Sequence, residues 1–138
     1  MTVARLLPMT HTRETVTATG APEAAGPYSH AVRAAGLLFL SGQTPVDPNT
    51  GQLVGETPGE QVARCLDNLA VVAAAAGASL EDAVRMTIYV TDMSTFPQIN
   101  ESYGSYFKSD PPARTTIGVA ALPLGAQVEV DAIIALET

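Results

Sequence analysis

The chain has 138 residues, of which 46% are hydrophobic and 15% charged. This length and apolarity exclude a largely disordered chain and suit one compact domain, because domains most often hold about 100–150 residues. Fourteen acidic residues against seven basic ones give a formal charge of −7, and the basic residues stand singly, which argues against a nucleic-acid partner.

The amino terminus predicts a short extension rather than a targeting segment. Its apolar stretch is interrupted by Pro8 and is too short for a signal peptide, and no later run approaches the roughly 18 apolar residues of a membrane span. We therefore expect a flexible extension over residues 1–13, a single domain over residues 14–138, and no contact with a membrane. The one cysteine, Cys65, cannot form an internal disulfide, so a cytoplasmic protein is expected.

Three short strands are predicted in the first third of the chain. Residues 14–17 and 30–35 are separated by the segment TGAPEAAGPYS, whose Gly, Pro and Ala content predicts a loop, with Tyr28 near its end. The continuous apolar run LLFLSG at 37–42 predicts a strand that is buried on both faces.

The next segment carries the start signal of a helix. Thr57 and Glu60 form a capping box, with Pro58 at the first helical position. Apolar residues then recur at helical spacing until Gly77, which is a suitable left-handed stop. Cys65 lies on this apolar stripe, so we interpret it as a small core residue and not as a nucleophile.

The second half of the chain predicts further strands and one more helix. After a brief helical turn at residues 79–82, alternation predicts a strand whose apolar face is formed by Val84, Met86, Ile88 and Val90. Helical spacing then predicts an amphipathic helix through Phe96, Ile99, Tyr103 and Phe107. Residues 113–122 and 126–136 predict two long strands, which we expect to form an antiparallel pair.

This order of elements predicts an α+β fold with the helices on one face of a sheet. Residues 37–40 and the last strand carry apolar side chains that point both ways, so the second face of the sheet also needs a cover. Another copy of the sheet is the expected cover, with closed cyclic symmetry. The residues alone predict an oligomer without fixing the number of subunits.

Charged side chains within the last two strands are candidate functional groups. Glu129 and Asp131 share one face of the last strand, whereas Arg114 and Thr116 share a face of the preceding one. An arginine can bind a carboxylate through two hydrogen bonds, and a glutamate in a partly apolar crevice is suited to move protons. These residues alone leave two alternatives, a structural ion pair, which is the commoner case, or a site that hydrolyses a small carboxylate-bearing substrate.

The histidines do not predict a metal site or a catalytic triad. His11 and His30 stand without Cys, His or Asp neighbours at ligand spacing. The chain also has no glycine-rich pattern of the kind that binds dinucleotides or phosphates. We therefore expect no metal and no cofactor.

Six motifs follow one another in a fixed order. They are GPYSHAV (26–32), LFLSGQTPVDPNTG (38–51), the block from Cys65 to Met93, FPQINESY (96–103), PPARTTIGVAALP (111–123) and VEVDAIIA (128–135). Together they resemble the reactive intermediate deaminase (Rid, or YjgF) family, from about residue 18 to the end of the chain. The resemblance implies a chorismate mutase-like α+β subunit with a mixed sheet, assembled as a homotrimer with active sites between the subunits.

The resemblance also implies roles for individual residues. Arg114 is similar to the family arginine that holds the substrate carboxylate, and Glu129 to the residue that positions or activates the attacking water. The implied substrate-binding positions are Tyr28, Ser41, Gly42, Asn100, Arg114 and Thr116. Thr116 departs from the family pattern, because the best-known deaminases of the family carry a cysteine there. We expect this departure to change substrate preference and not the type of reaction.

The implied activity is that of a 2-iminobutanoate/2-iminopropanoate deaminase. Such a hydrolase converts reactive 2-imino and 2-enamino acids, for example those derived from 2-aminoacrylate, to 2-keto acids and ammonia. Two alternatives stay open: a non-catalytic trimer that binds small carboxylates or acts as a chaperone, and a pathway-specific relative that acts on a different imine. A ribonuclease would rest on family naming alone, and the acidic charge argues against it.

Overall fold

The structure is a computed structural model that describes residues 12–137. The expected extension over residues 1–13 therefore lies outside the described residues, apart from Thr12 and Arg13, which are exposed and belong to no helix or strand. Among the described residues, no helix is both long enough and apolar enough to cross a membrane.

The described part of the chain contains six strands and two α-helices, besides three short 3-10 helices, of which Leu80–Asp82 confirms the predicted helical turn. In chain order the strands and α-helices are β1 (Glu14–Val16), β2 (Ala31–Ala34), β3 (Leu37–Gln43), α1 (Pro58–Ala75), β4 (Ala83–Val90), α2 (Phe96–Tyr106), β5 (Ala113–Gly118) and β6 (Val128–Ala135). The strands form one sheet in the order β1-β2-β3-β6-β4-β5, in which only the β4–β5 pair is parallel. The predicted α+β class is confirmed.

Helix α1 begins and ends at the predicted signals. The Thr57 hydroxyl accepts a hydrogen bond from the Glu60 N–H, and the Glu60 carboxylate accepts one from the Thr57 N–H. After the helix, Gly77 has a φ of 73°, in the left-handed region that glycine adopts without strain. These two caps fix the length of the helix that covers β3 and β6.

The hydrophobic core lies between the two helices and one face of the sheet. Strand β6 alternates between this core and the opposite face, with its core side formed by Val128, Val130, Ala132 and Ile134. Helix α1 contributes fully buried residues that include Cys65, as predicted. Burial raises the pKa of the Cys65 thiol, so the group stays protonated and serves as a small core side chain.

The predicted antiparallel pairing of the last two strands is wrong. Strand β4 lies between β5 and β6, parallel to the former and antiparallel to the latter. Parallel strands need a crossover connection, and α2 supplies it between β4 and β5. Residues 119–127 then carry the chain past β4 to β6, so this connection is not a hairpin.

The prediction for Val84 is also wrong. The register of β4 against β6 shifts between Ala83 and Arg85, which makes Val84 the extra residue of a β-bulge. Val84 is consequently 44% exposed, whereas the other three residues predicted for this face are buried. Bulges depend on the partner strand, which explains why alternation within β4 did not predict this one.

The second face of the sheet is not covered by the described residues of this chain. Leu38 and Leu40 point into the core, but Phe39 between them is 41% exposed, so the predicted burial of this strand on both faces is wrong for the single chain. On β5, Ile117 is 47% exposed on the same open face. Whether another copy covers this face stays a prediction.

Candidate functional site

Arg114 is held under helix α2 at the edge of the sheet. It is in register with the buried Met86, so its side chain points to the helix-covered face. Its Nη2 donates a hydrogen bond to Oδ1 of Asn100 at 2.8 Å. Its guanidinium carbon lies 4.8 Å from the ring centroid of Tyr103 and 5.5 Å from that of Phe96. These contacts fix the guanidinium group and leave its other N–H groups for a ligand.

The residues around Arg114 come from one face of α2. Phe96, Asn100 and Tyr103 stand at positions i, i+4 and i+7, which places them side by side on the helix surface. The apolar pattern predicted Phe96 and Tyr103 as packing residues only, so their contact with the guanidinium was missed. Their helical spacing from Asn100 was the signal in the sequence that could have revealed it.

Two buried hydroxyl groups near Arg114 have no hydrogen-bond partner within residues 12–137. They are the Tyr103 hydroxyl and Oγ1 of Thr116, which follows Arg114 by two positions on the same face of β5. Burial raises the pKa of Tyr103 to about 12, although the Arg114 charge opposes this, so the phenol can donate a hydrogen bond. A buried hydroxyl without a partner costs about 1–3 kcal/mol. A polar ligand would remove that cost only if the side chains that bury these two oxygens move aside.

Glu129 lies on the other face of the sheet. It alternates along β6 with the buried valines and is itself half-buried. Burial raises the pKa of Glu129 above its usual range, and the neighbouring negative charge of Asp131 raises it further. Asp131 accepts a hydrogen bond from the Tyr89 hydroxyl at 2.8 Å, so this second carboxylate is fixed in place.

A β-bulge makes room for the Glu129 carboxyl group. The register of β3 against β6 shifts so that Ser41 and Gly42 both stand opposite Asp131. A Cβ atom on Gly42 would overlap Oε2 of Glu129 and would lie 3.1 Å from its carboxyl carbon. Glycine at this position therefore permits the observed orientation of Glu129.

Tyr28 stands on a loop beside the same bulge. Its hydroxyl accepts a hydrogen bond from the Ala25 N–H at 3.0 Å, so the ring folds back on its own loop. Oγ of Ser41 donates to the Ser29 carbonyl at 2.6 Å and ties this loop to β3. Tyr28 and Gly42 both line a cavity of about 490 Å³ between residues 22–30 and 42–51.

The candidate residues thus form two groups within one chain. Arg114, Asn100 and Thr116 form the arginine group on the helix-covered side, whereas Tyr28, Ser41, Gly42 and Glu129 form the glutamate group. Strand β4 separates Arg114 from Glu129, and the two side chains project to opposite faces. The one ion pair found within residues 12–137 joins Arg33 to Glu14 at 3.8 Å. The alternative of a structural Arg114–Glu129 ion pair inside the chain is therefore wrong.

Comparison with known proteins gives matches along nearly the whole chain. A family model described as Endoribonuclease L-PSP matches residues 18–136. The chain is 41% identical over 121 residues to the 2-iminobutanoate/2-iminopropanoate deaminase of Mus musculus, an alignment that covers 88% of this chain and 90% of the mouse protein. The region matched by the family model includes all the candidate residues.

Solved structures show the same fold. A crystal structure of YyfA from Yersinia pestis, a protein of unknown function in the conserved Rid family, superimposes with a TM-score of 0.87 at 38% identity and covers 91% of this chain and 100% of that one. A crystal structure of E. coli TdcF with bound serine gives a TM-score of 0.83 at 33% identity, over 90% and 99% of the two chains. These likenesses support the mixed sheet with two helices.

The role of Gly42 can be tested with the Gly42→Ala variant. Because the new methyl group would occupy the place of the Glu129 carboxyl, we expect that side chain to rotate out of its half-buried position towards water. The pKa of Glu129 should then fall back towards the ordinary glutamate range. Carbon-13 NMR titration of the side-chain carboxyl signals measures this change.

Gly104→Ala is the matched control. A Cβ at Gly104 meets no atom of the described residues within 4 Å, and the residue lies inside α2. Alanine should therefore stabilise the protein by up to about 1 kcal/mol and leave the Glu129 titration unchanged. An unchanged Glu129 pKa in the Gly42→Ala variant would contradict the steric account.

Proposed function

This chain belongs to the family described as Endoribonuclease L-PSP, the reactive intermediate deaminase (Rid, or YjgF) family, and we propose that it hydrolyses 2-imino acids to 2-keto acids and ammonia. The observation that carries this proposal is the fixed Arg114 guanidinium, which keeps N–H groups for a ligand and lies near two hydroxyls that have no hydrogen-bond partner among the described residues. The mouse relative, named as an imine deaminase, supports the reaction. The net charge of −7 argues against a nucleic-acid substrate.

In the proposed reaction, Arg114 binds the substrate carboxylate. Its hydrogen bond to Asn100 and its contacts with two aromatic rings restrict its movement, so little conformational entropy is lost when it binds a carboxylate through two hydrogen bonds. The buried Thr116 hydroxyl supplies a further hydrogen bond once the ligand displaces the groups that cover it. The serine in the TdcF structure also carries an α-carboxylate, which supports a small substrate of this type.

Glu129 acts on water in this proposal. Its pKa is raised towards neutral pH, and a general acid or base is most effective when its pKa lies near the working pH. As a carboxylate it accepts a proton from the water that attacks the imine carbon. It first returns that proton to the imine nitrogen, which gives a tetrahedral amino alcohol. It then takes the proton of the new hydroxyl group and passes it to the amine as the C–N bond breaks, so that ammonia leaves and the keto acid remains. No metal or cofactor enters these steps.

We further propose a chorismate mutase-like homotrimer with active sites between subunits. Arg114 and Glu129 cannot reach one small ligand from opposite faces of the same sheet, so a complete site requires the arginine group of one subunit and the glutamate group of its neighbour. The open face with Phe39 and Ile117, which residues 12–137 leave uncovered, supports this association, because burial of apolar surface is favourable. Closed symmetry would repeat the same contact three times.

Arg114→Ala tests the proposed function. We expect kcat/KM for 2-imino acid hydrolysis to fall by roughly 100-fold or more, because the substrate carboxylate loses its charged partner. A pyridoxal phosphate enzyme generates the imines in the presence of semicarbazide, which traps any imine that is not hydrolysed. The assay measures the loss of trapped imine and the release of keto acid when the protein is added.

Arg33→Ala is the control, since Arg33 lies on β2 in a partly exposed pair with Glu14 and should not affect turnover. Full activity in the Arg114→Ala variant would contradict the assignment. If the unmodified protein failed with every imine, the alternatives would be a carboxylate-binding or chaperone-like trimer, or a pathway-specific relative with a different imine.

Asp131→Asn tests the environment of Glu129. Asp131 disfavours the ionised form of Glu129, so removal of its charge should lower the pKa of Glu129. Hydrolysis that begins with the Glu129 carboxylate should then persist to lower pH, and the acidic limb of the kcat/KM profile should move down the pH scale. Asp67→Asn on the exposed side of α1 is the control. A limb that stays in place or moves upward would contradict this role.

A further inference from the structure

His30 is a buried titratable residue that the proposed reaction does not use. It immediately precedes β2 and is 7% exposed. Its Nδ1 lies 3.0 Å from the backbone nitrogen of Ala18, and its Nε2 lies 2.7 Å from the carbonyl oxygen of Pro22. The ring therefore contacts two separate points of the loop between β1 and β2.

The two partners determine the form of the ring. The Ala18 N–H can only donate, so Nδ1 must present a lone pair, whereas the Pro22 carbonyl can only accept, so Nε2 must carry the hydrogen. Both bonds are satisfied together only by the neutral Nε2–H tautomer. In a protonated ring, Nδ1 would also carry a hydrogen, and this N–H would face the N–H of Ala18.

This arrangement connects His30 to Tyr28. The loop that His30 holds at Ala18 and Pro22 continues to Tyr28, and Tyr28, Pro22 and His30 line the same cavity as Gly42. The hydroxyl of Tyr28 takes its hydrogen bond from Ala25 of this loop. A shift of the loop would therefore move the Tyr28 ring in relation to the cavity.

We propose that His30 is a positioning residue that fixes Tyr28 at the cavity by holding the loop through the backbone of Ala18 and Pro22. The role of Tyr28 in substrate binding rests on the proposed function, but the loop contacts do not. Glutamine carries one acceptor and one donor at the end of its side chain, as the neutral imidazole does at its two nitrogens. Leucine fills a similar apolar volume and offers neither.

The first experiment compares His30→Leu with His30→Gln in the imine assay. We expect His30→Leu to raise KM by about tenfold with a much smaller change in kcat, because Tyr28 binds substrate from a displaced position, and His30→Gln to recover most of the loss. Equal defects in the two variants, or a defect in kcat alone, would overturn the proposal.

The second experiment needs no substrate and separates this proposal from the proposed function. Nitrogen-15 NMR of the unmodified protein should show the Nε2–H tautomer of His30, and hydrogen exchange should show a protected Ala18 amide that loses protection in His30→Leu and keeps it in His30→Gln. An Nδ1–H tautomer, or an Ala18 amide that exchanges equally in all three proteins, would overturn the role of His30. Absence of imine hydrolysis by the unmodified protein would instead overturn the proposed function and leave these readouts to decide the role of His30.

Discussion

Parallel strands cannot be joined by a tight turn, so the chain must cross over the sheet through α2 between β4 and β5. The crossover places the Phe96, Asn100 and Tyr103 face of α2 above the edge strand, where it holds the Arg114 side chain. The same pairing puts β4 between Arg114 and Glu129. The separation of the candidate residues into an arginine group and a glutamate group is thus a consequence of topology.

The charges of the two groups are complementary. A partly buried guanidinium is stable only with compensating partners, and Arg114 has an amide oxygen and two aromatic rings but no carboxylate within the described part of its own chain. Glu129 and Asp131 have the opposite arrangement, with two carboxylates on one face of β6 and a raised pKa at Glu129. In the proposed site, the carboxylate of a small substrate would supply the missing anion at Arg114, and the reacting carbon would face Glu129 of the neighbouring subunit.

The elements of the fold could be predicted because their signals are local. The capping box at Thr57 and the alternation along β6 depend on neighbouring residues only, and both are present as predicted. The order of strands in a sheet depends on contacts between residues far apart in the chain. Local patterns therefore did not predict that β4 lies between β5 and β6. The bulges at Val84 and at Ser41–Gly42 depend in the same way on a partner strand.

The candidate site was predictable to a smaller extent. Residue chemistry alone singled out Arg114 and Glu129, and the family motifs added Tyr28, Ser41, Gly42, Asn100 and Thr116. The contact of Tyr103 with the guanidinium and the two loop bonds of His30 were missed, because an aromatic residue on an apolar stripe and an isolated histidine both suggest ordinary packing. Only the three-dimensional partners of these side chains distinguish a packing residue from one that orients the site.

We propose that each active site joins Arg114 of one subunit to Glu129 of its neighbour. The most direct test mixes Arg114→Ala and Glu129→Ala subunits, each inactive alone, in equal amounts by co-expression, with mass spectrometry to verify mixed assemblies. Random mixing should restore about a quarter of the unmodified activity, because one interface in four then pairs an intact arginine with an intact glutamate. Mixed assemblies that remain inactive would contradict the shared site.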